Sequence, residues 1–315
     1  AADAVLEAVR AYWELAYAER ALAIHKSSLD LAREQLRITQ AAIQGKAAAP
    51  TEALAVQQAI AVREQAVLLG EIDISERSLA LRRVVGLEIG PGDIELDAAD
   101  EPAVADRPID LDQLLQAARE RNPRLALARQ NVDVAAIDLI VAEDATRPRL
   151  DLTGRLGPSG AAGRAGDTVE QMGKLEAYTA GATLTYGQSL GNRAARGAVK
   201  RVQETVRRSR IDVAELERET AVNVVRAVNL VRTARKRVEV ADVAIKLAAQ
   251  NLDSEKLLFQ AGDTRAFDVL ARQDELSQAR LSRERALVDY LSALANLDAV
   301  TGGLLERYGI KVIGR

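Results

Sequence analysis

The sequence predicts a mainly α-helical protein. It reads as long antiparallel coiled-coil hairpins in two structural repeats, with a small β-hairpin set into the second. Three features point there. First, the chain repeats itself at an offset of 216 residues: Val9-Arg10-Ala11 returns as Val225-Arg226-Ala227, Leu31-Ala32 as Leu247-Ala248, Leu54-Ala55 as Leu270-Ala271 and Gly86 as Gly302. The copies keep apolar spacing and a glycine at a turn, not the Gly, His and acid patterns of a duplicated enzyme domain. Second, apolar residues make up 48% of the chain while aromatics make up only 3%. That balance suits long Ala- and Leu-rich helices better than a compact enzyme core. Third, the apolar period is helical almost throughout and switches to alternation in one region.

Residues 1–86 read as the first-repeat hairpin. From about residue 3 to 44, Val5, Leu6, Val9, Trp13 and Ala16 recur at three- and four-residue steps without Pro or Gly. Pro50 opens a second helix, a position proline tolerates, and that helix runs to Val85 before Gly86. The tip is Gln44–Ala49. Residues 87–108, with Gly90-Pro91-Gly92, Pro102 and Pro108, read as an irregular connector.

Residues 109–302 read as the second repeat. A helix over 110–146 is capped by Asp110 or Asp112, with a bend at Asn122-Pro123. Strands follow at 149–156 and 178–187. Leu150, Leu152 and Leu156 alternate with Asp151, Thr153 and Arg155; Ala180, Ala182 and Leu184 alternate with Thr179, Thr183 and Thr185. A soluble hairpin and a transmembrane barrel hairpin both fit these strands. The stretch Gly157–Gly173 between them is glycine-rich and polar. A long helix over 192–260 spans on the order of 100 Å at the usual rise. A return helix covers 266–301, and 303–315 reads as a tail. Helices this long bury their stripes only against equally long neighbours.

Composition narrows the chemistry. Cysteine is absent, which excludes disulfides, thiol catalysis and Cys-ligated metals, and His25 as the only histidine nearly excludes a histidine metal site. The net charge of −3, with arginines interleaved among acids, offers no nucleic-acid footprint. No phosphate loop, nucleophile motif or metal spacing occurs, so neither enzyme nor cofactor is expected. No uncharged apolar run is long enough for a spanning helix. Ala1-Ala2-Asp3 opens directly into a helical pattern, which fits a processed or trimmed end.

Several segments together resemble the TolC-like outer-membrane efflux channel family. Phe259-Gln260-Ala261-Gly262-Asp263-Thr264-Arg265-Ala266-Phe267-Asp268-Val269-Leu270 matches its glycine, short turn and Asp-Val-Leu opening of a return helix. Ala271–Gly302 continues the match. Pro108-Ile109-Asp110-Leu111, Arg121-Asn122-Pro123 and Arg147-Pro148-Arg149-Leu150 fit as well, and Leu190-Gly191-Asn192-Arg193 with Arg196-Gly197 resembles the restart of the long helix. Tyr186-Gly187-Gln188-Ser189-Leu190 departs from the usual Pro-Leu-Phe-like step. The resemblance implies a homotrimer in the outer membrane, with most of the chain in the periplasm. The copies would share one β-barrel in outer-membrane lipid and one helical tunnel. It also implies a periplasmic adaptor at the tips, an inner-membrane pump behind it, and export of small molecules, metal ions or proteins. One departure stands out. The repeat partners of 109–216 have no counterpart before Ala1, so the chain carries about one and a half repeats. It is either a fragment, lacks its first part or is a divergent member. Three copies of a single strand pair fall short of the usual barrel.

Candidate sites follow. The tips Gln44-Gly45-Lys46 and Gly262-Asp263-Thr264-Arg265 are partner contacts or simply turns. Gly45 stands one residue earlier than the offset requires, so the two tips need not do the same job. Asp263 and Asp268 could form an acidic entrance, although Asp268 also suits a first helical turn. Trp13 and Tyr17 either line a lumen or pack, and His25 reads as a solvated helix residue. Lys200-Arg201, Arg207-Arg208 and Arg210 alternate with Glu204, Asp212, Glu215 and Glu217, as on a solvated face. A periplasmic adaptor and a structural coiled-coil scaffold are the rival classes. The first lacks a lipoyl-like β-domain here, and the strand pair argues against the second.

Overall fold

A computed structural model describes residues 2–46, 48–88, 96–100, 102–104, 107–158 and 178–310. Two 43- and 36-residue helices come first, α1 (Ala2–Gln44) and α2 (Pro50–Val85). Then come α3 (Leu111–Arg121), α4 (Pro123–Asp144), β1 (Arg149–Pro158) and β2 (Tyr178–Gly187). The 69-residue α5 (Arg193–Ala261), the 35-residue α6 (Ala266–Val300) and the short α7 (Leu304–Arg307) complete the order. Contacts divide the chain into two compact units, Ala1–Pro123 with Glu217–Arg315, and Arg124–Leu216.

The first unit is a set of helical hairpins. On α5, Val224, Ala227, Val228, Val231, Ala234 and Val238 form one buried stripe at three- and four-residue steps. It packs against Leu287, Tyr290, Leu294 and Leu297 of α6. Small side chains on one helix face large ones on the other, so the layers interdigitate. Near the tips, Ala32 of α1, Val56 of α2 and Ala266 and Leu270 of α6 share a second cluster. At the far end Val9 and Trp13 of α1 meet Ala295 of α6 and Leu304 of α7.

Two polar knots join these helices. Arg63 of α2 is only 6% exposed. Its guanidinium donates to Ser28 O of α1 (2.9 Å), to Gln273 Oε1 (2.8 Å) and Asp274 Oδ1 (2.7 Å) of α6, and to Leu270 O (3.4 Å). A buried cation is tolerated because each terminal nitrogen finds two acceptors. Asp298, with a side chain 4% exposed, takes Arg107 and Arg307 at 2.6 Å each. It thereby pins both the approach to α3 and the segment after α6.

The repeat is visible in the backbone. Gly86 and Gly302, at φ 77° each, end α2 and α6 in the left-handed conformation that glycine adopts without cost. Their surroundings differ. A Cβ on Gly302 would sit 2.6 Å from Arg121 O, whereas one on Gly86 would meet nothing within 4 Å.

Several expectations are corrected. The helix over 110–146 is two helices, because Asn122 precedes a proline and is extended (ψ 118°). Asn122 Nδ2 then donates to Val300 O (3.4 Å), and α4 ends at Asp144. Asp110, not Asp112, is the cap, accepting from Asp112 N and Gln113 N. β1 continues to Pro158, since its pairing with Tyr178 adds two residues. The segment over 303–315 is more than a tail: α7 forms there because Leu304 is buried against Val9 and Ala295. Of the connector, 89–95, 101 and 105–106 lie outside the described residues, as do 159–173 of the glycine-rich stretch and 311–315.

The second unit holds α4, the strand pair and the start of α5. β1 and β2 are antiparallel, with Leu150 opposite Tyr186, Leu152 opposite Leu184 and Leu156 opposite Ala180. Asp151 faces Thr185 and Thr153 faces Thr183 on the other side. All apolar pairs therefore share one face and the polar pairs share the other. No described helix is long and apolar enough to cross a membrane.

Candidate functional site

The two tips lie side by side in the first unit. At the first, Gly45 N donates to Ala41 O and Lys46 N to Ile43 O, both at 3.0 Å. The left-handed residue of this turn is Lys46, at φ 61°. At the second it is Gly262, at φ 83°. These two positions are separated by the repeat offset. The one-residue shift of Gly45 is thus a shift of residue identity, while the backbone keeps its register.

The second tip is tightly organised. Gly262 N donates to Phe259 O (3.1 Å) and Asp263 N to Leu258 O (3.0 Å). Asp268 reaches back to accept from Arg265 N (3.1 Å), so the N3 carboxylate caps the start of α6, while the Arg265 side chain, a donor only, makes no return bond. The Thr264 hydroxyl lies 2.7 Å from Glu255 Oε1 and 2.9 Å from Asp268 Oδ2 and shares its hydrogen between them. The Arg265 N–H holds the Asp268 carboxyl below the usual aspartate range, with Thr264 adding to the effect. Asp268 is therefore committed to its own helix, while the Asp263 side chain is exposed. Gln44, Lys46 and Arg265 are exposed too.

Glu52 is the tip residue that sequence reasoning missed. Its Oε2 accepts from Ala266 N at 3.1 Å, so the first turn of α2 caps the start of α6. Glu52 and Asp268 are repeat counterparts, 216 positions apart. One caps its own helix and the other a neighbour's. A groove of about 580 Å³ runs along the flank, lined by Ile38, Ala42, Phe259 and Thr264 among others.

The remaining candidates fall into packing roles. Trp13 belongs to the cluster around Val9 and meets Tyr12 edge-on at 5.1 Å. Tyr17 carries the Arg285 guanidinium 5.5 Å above its ring, and burial raises its pKa. His25 is half-buried rather than fully solvated, and burial lowers its pKa. Arg201, Arg207 and Arg208 border a shallow surface together with Glu204 and Asp212. Among the described residues no group of three or more His, Cys, Asp or Glu could hold a metal ion.

Comparison with known proteins places this geometry. The outer-membrane channel OprN is similar in fold, with a TM-score of 0.80 at 18% identity over 96% of this chain and 66% of that one. The CmeC outer membrane channel of Campylobacter jejuni gives 0.74 at 16% identity over 96% and 63%. The outer membrane protein VceC of Vibrio cholerae gives 0.75 at 18% over 95% and 69%. The chain thus spans just under two thirds of the length of the first two, OprN at 66% and CmeC at 63%. No curated protein sequence matches it significantly. The sequence pattern of outer membrane efflux proteins matches residues 114–303, from α3 through α6. That match covers more than half of the chain, which therefore belongs to the outer membrane efflux protein family.

Proposed function

We propose that this chain forms part of the exit duct of a tripartite efflux or secretion system in the outer membrane. Several copies, three by the family resemblance, enclose one passage. Their strand pairs contribute strands to a barrel and their helices contribute to a periplasmic tunnel. Export is passive. A periplasmic adaptor, fed by an inner-membrane pump, engages the tips around Lys46 and Asp263 and shifts the helical hairpins toward an open arrangement by binding it more tightly. Asp263 then carries charge at the entrance, whereas Asp268 serves its cap.

The strand pair is the observation that carries this reading. Leu150, Leu152, Leu156, Leu184 and Tyr186 share one face and are between 62% and 80% exposed. The opposite face carries Asp151, Thr153, Thr183 and Thr185. A hairpin in water buries its apolar face, whereas a barrel strand turns that face to lipid and its polar face to the lumen. The exposed rows Leu68, Leu69 and Ile72 on α2 and Val240, Val243 and Leu247 on α5 fit contact with further copies.

Charge on the apolar face tests it. Leu152→Asp with Leu184→Asp should abolish recovery of the full-length protein in outer-membrane fractions. Thr153→Asp with Thr183→Asp should leave that recovery nearly intact. Equal recovery of both variants would contradict a barrel.

A further inference from the structure

Between Gly187, the last residue of β2, and Glu204 the chain has no acidic residue. Over that stretch it carries Arg193, Arg196, Lys200 and Arg201, all exposed. Among the described residues none of these four side chains pairs with an acid. Arg193, Arg196 and Lys200 follow the i, i+3, i+7 spacing and so share one helix face.

Their placement runs against helix electrostatics. The N-terminal end of a helix carries partial positive charge and favours acids. α1, α2, α3 and α6 open with Asp3, Glu52, Asp112 and Asp268, while α4 and α5 have no acid in their first turns, and α5 adds four cations over its first nine residues. A row of uncompensated cations there is better matched to an external anion than to the helix itself.

The surroundings indicate which anion. Gly191 and Asn192, at φ 79° and 38°, turn the chain sharply, and Asn192 Nδ2 donates to Thr146 O at 3.0 Å. That bond ties the start of α5 to the end of α4, at the foot of the strand pair. Arg147 and Arg149 stand there too, but Asp144 (3.5 Å) and Asp151 (2.5 Å) pair with them. Leu190, just before the cations, is 97% exposed, and Tyr186, four residues earlier in the chain, is 62% exposed. An exposed apolar pair joined to an exposed cationic row suits a membrane interface: the apolar groups enter lipid and the cations meet headgroups. A free phosphate ion would account for the cations and leave Leu190 unexplained.

We propose that Leu190 and the first three turns of α5 form an interfacial collar that binds anionic phospholipid headgroups at the foot of the strand pair. The collar rests on the channel reading above. Its test uses the full-length protein in detergent, titrated with short-chain phosphatidylglycerol and, separately, phosphatidylethanolamine, with bound lipid counted by native mass spectrometry. The wild type should prefer phosphatidylglycerol. The triple variant Arg193→Gln, Arg196→Gln, Lys200→Gln should lose about fivefold in apparent affinity per cation, on the order of 100-fold in all. Arg207→Gln with Arg208→Gln lowers net charge farther along α5, beside Glu204 and Asp212, and should leave the preference unchanged. Equal affinity in the triple variant and the wild type overturns the collar. So does displacement of the lipid by equimolar inorganic phosphate, which would mark an ion site. A protein that binds detergent but does not distinguish the two lipids removes the collar alone. One that binds neither detergent nor lipid removes the channel reading as well.

Discussion

The two helical hairpins share a backbone plan and differ in what their side chains hold. Both tips turn through a left-handed residue, Lys46 in the first and Gly262 in the second, and both return helices end on a left-handed glycine, Gly86 and Gly302. Yet Gly302 is packed against the Arg121 carbonyl, while Gly86 stands in open space. Arg63 joins three helices, while its counterpart 216 positions on is Ala279. Duplication preserved the conformations that a long hairpin needs. Side chains then diverged according to which hairpin each one packs against, so the second hairpin holds the α3 junction and the first supplies the cross-link.

The glycine pair gives the largest expected contrast. Gly302→Ala combines a strained φ with a backbone clash and should cost about 3 kcal/mol or more. Gly86→Ala should cost about 1 kcal/mol from conformation alone. Denaturant midpoints of the two variants measure the difference, and equal losses would break the comparison.

Arg63 comes next. Arg63→Ala leaves Gln273 Oε1 without its donor and empties a site packed between three helices, and should cost about 2–3 kcal/mol. The figure lies below that for a fully buried pair because Asp274 is well exposed. Arg33→Ala, which removes a half-exposed pair with Glu64 at 2.9 Å, should cost under about 1 kcal/mol. Thermal unfolding of the two variants ranks them.

The caps give the smallest effect and a pH signature. Because the folded-state pKa of Asp268 is lowered, its contribution is present above the ordinary aspartate value of about 3.9. That contribution is lost as pH falls through the lowered value. Asp268→Asn should therefore flatten the acid limb of stability below that pH and leave neutral-pH unfolding only slightly changed. An unchanged acid limb would show that the cap carries no charge-dependent stability.

Much of this architecture was legible because it rests on local physics. Helical period set α1, α2, α5 and α6 within a few residues, and alternation set the strand faces. Pro123 marked the break that the structure places at Asn122. The place of Asp268 in a first helical turn was legible, and its capping bonds reach only three and four residues back. What stayed hidden acts at long range. The Glu52 contact with Ala266 joins residues 214 apart in sequence. Arg63 reads as a surface residue until α1 and α6 close over it. Lys46 was masked by a neighbouring glycine, although the offset from Gly262 pointed to that position. The half-burial of His25 likewise depends on neighbours outside its own helix.

The central claim is that copies of this chain assemble around a shared membrane passage. Native mass spectrometry of the full-length protein released from detergent micelles tests it most directly. The expected result is a trimer that needs detergent or lipid to remain in solution. A stable monomer free of detergent would contradict it.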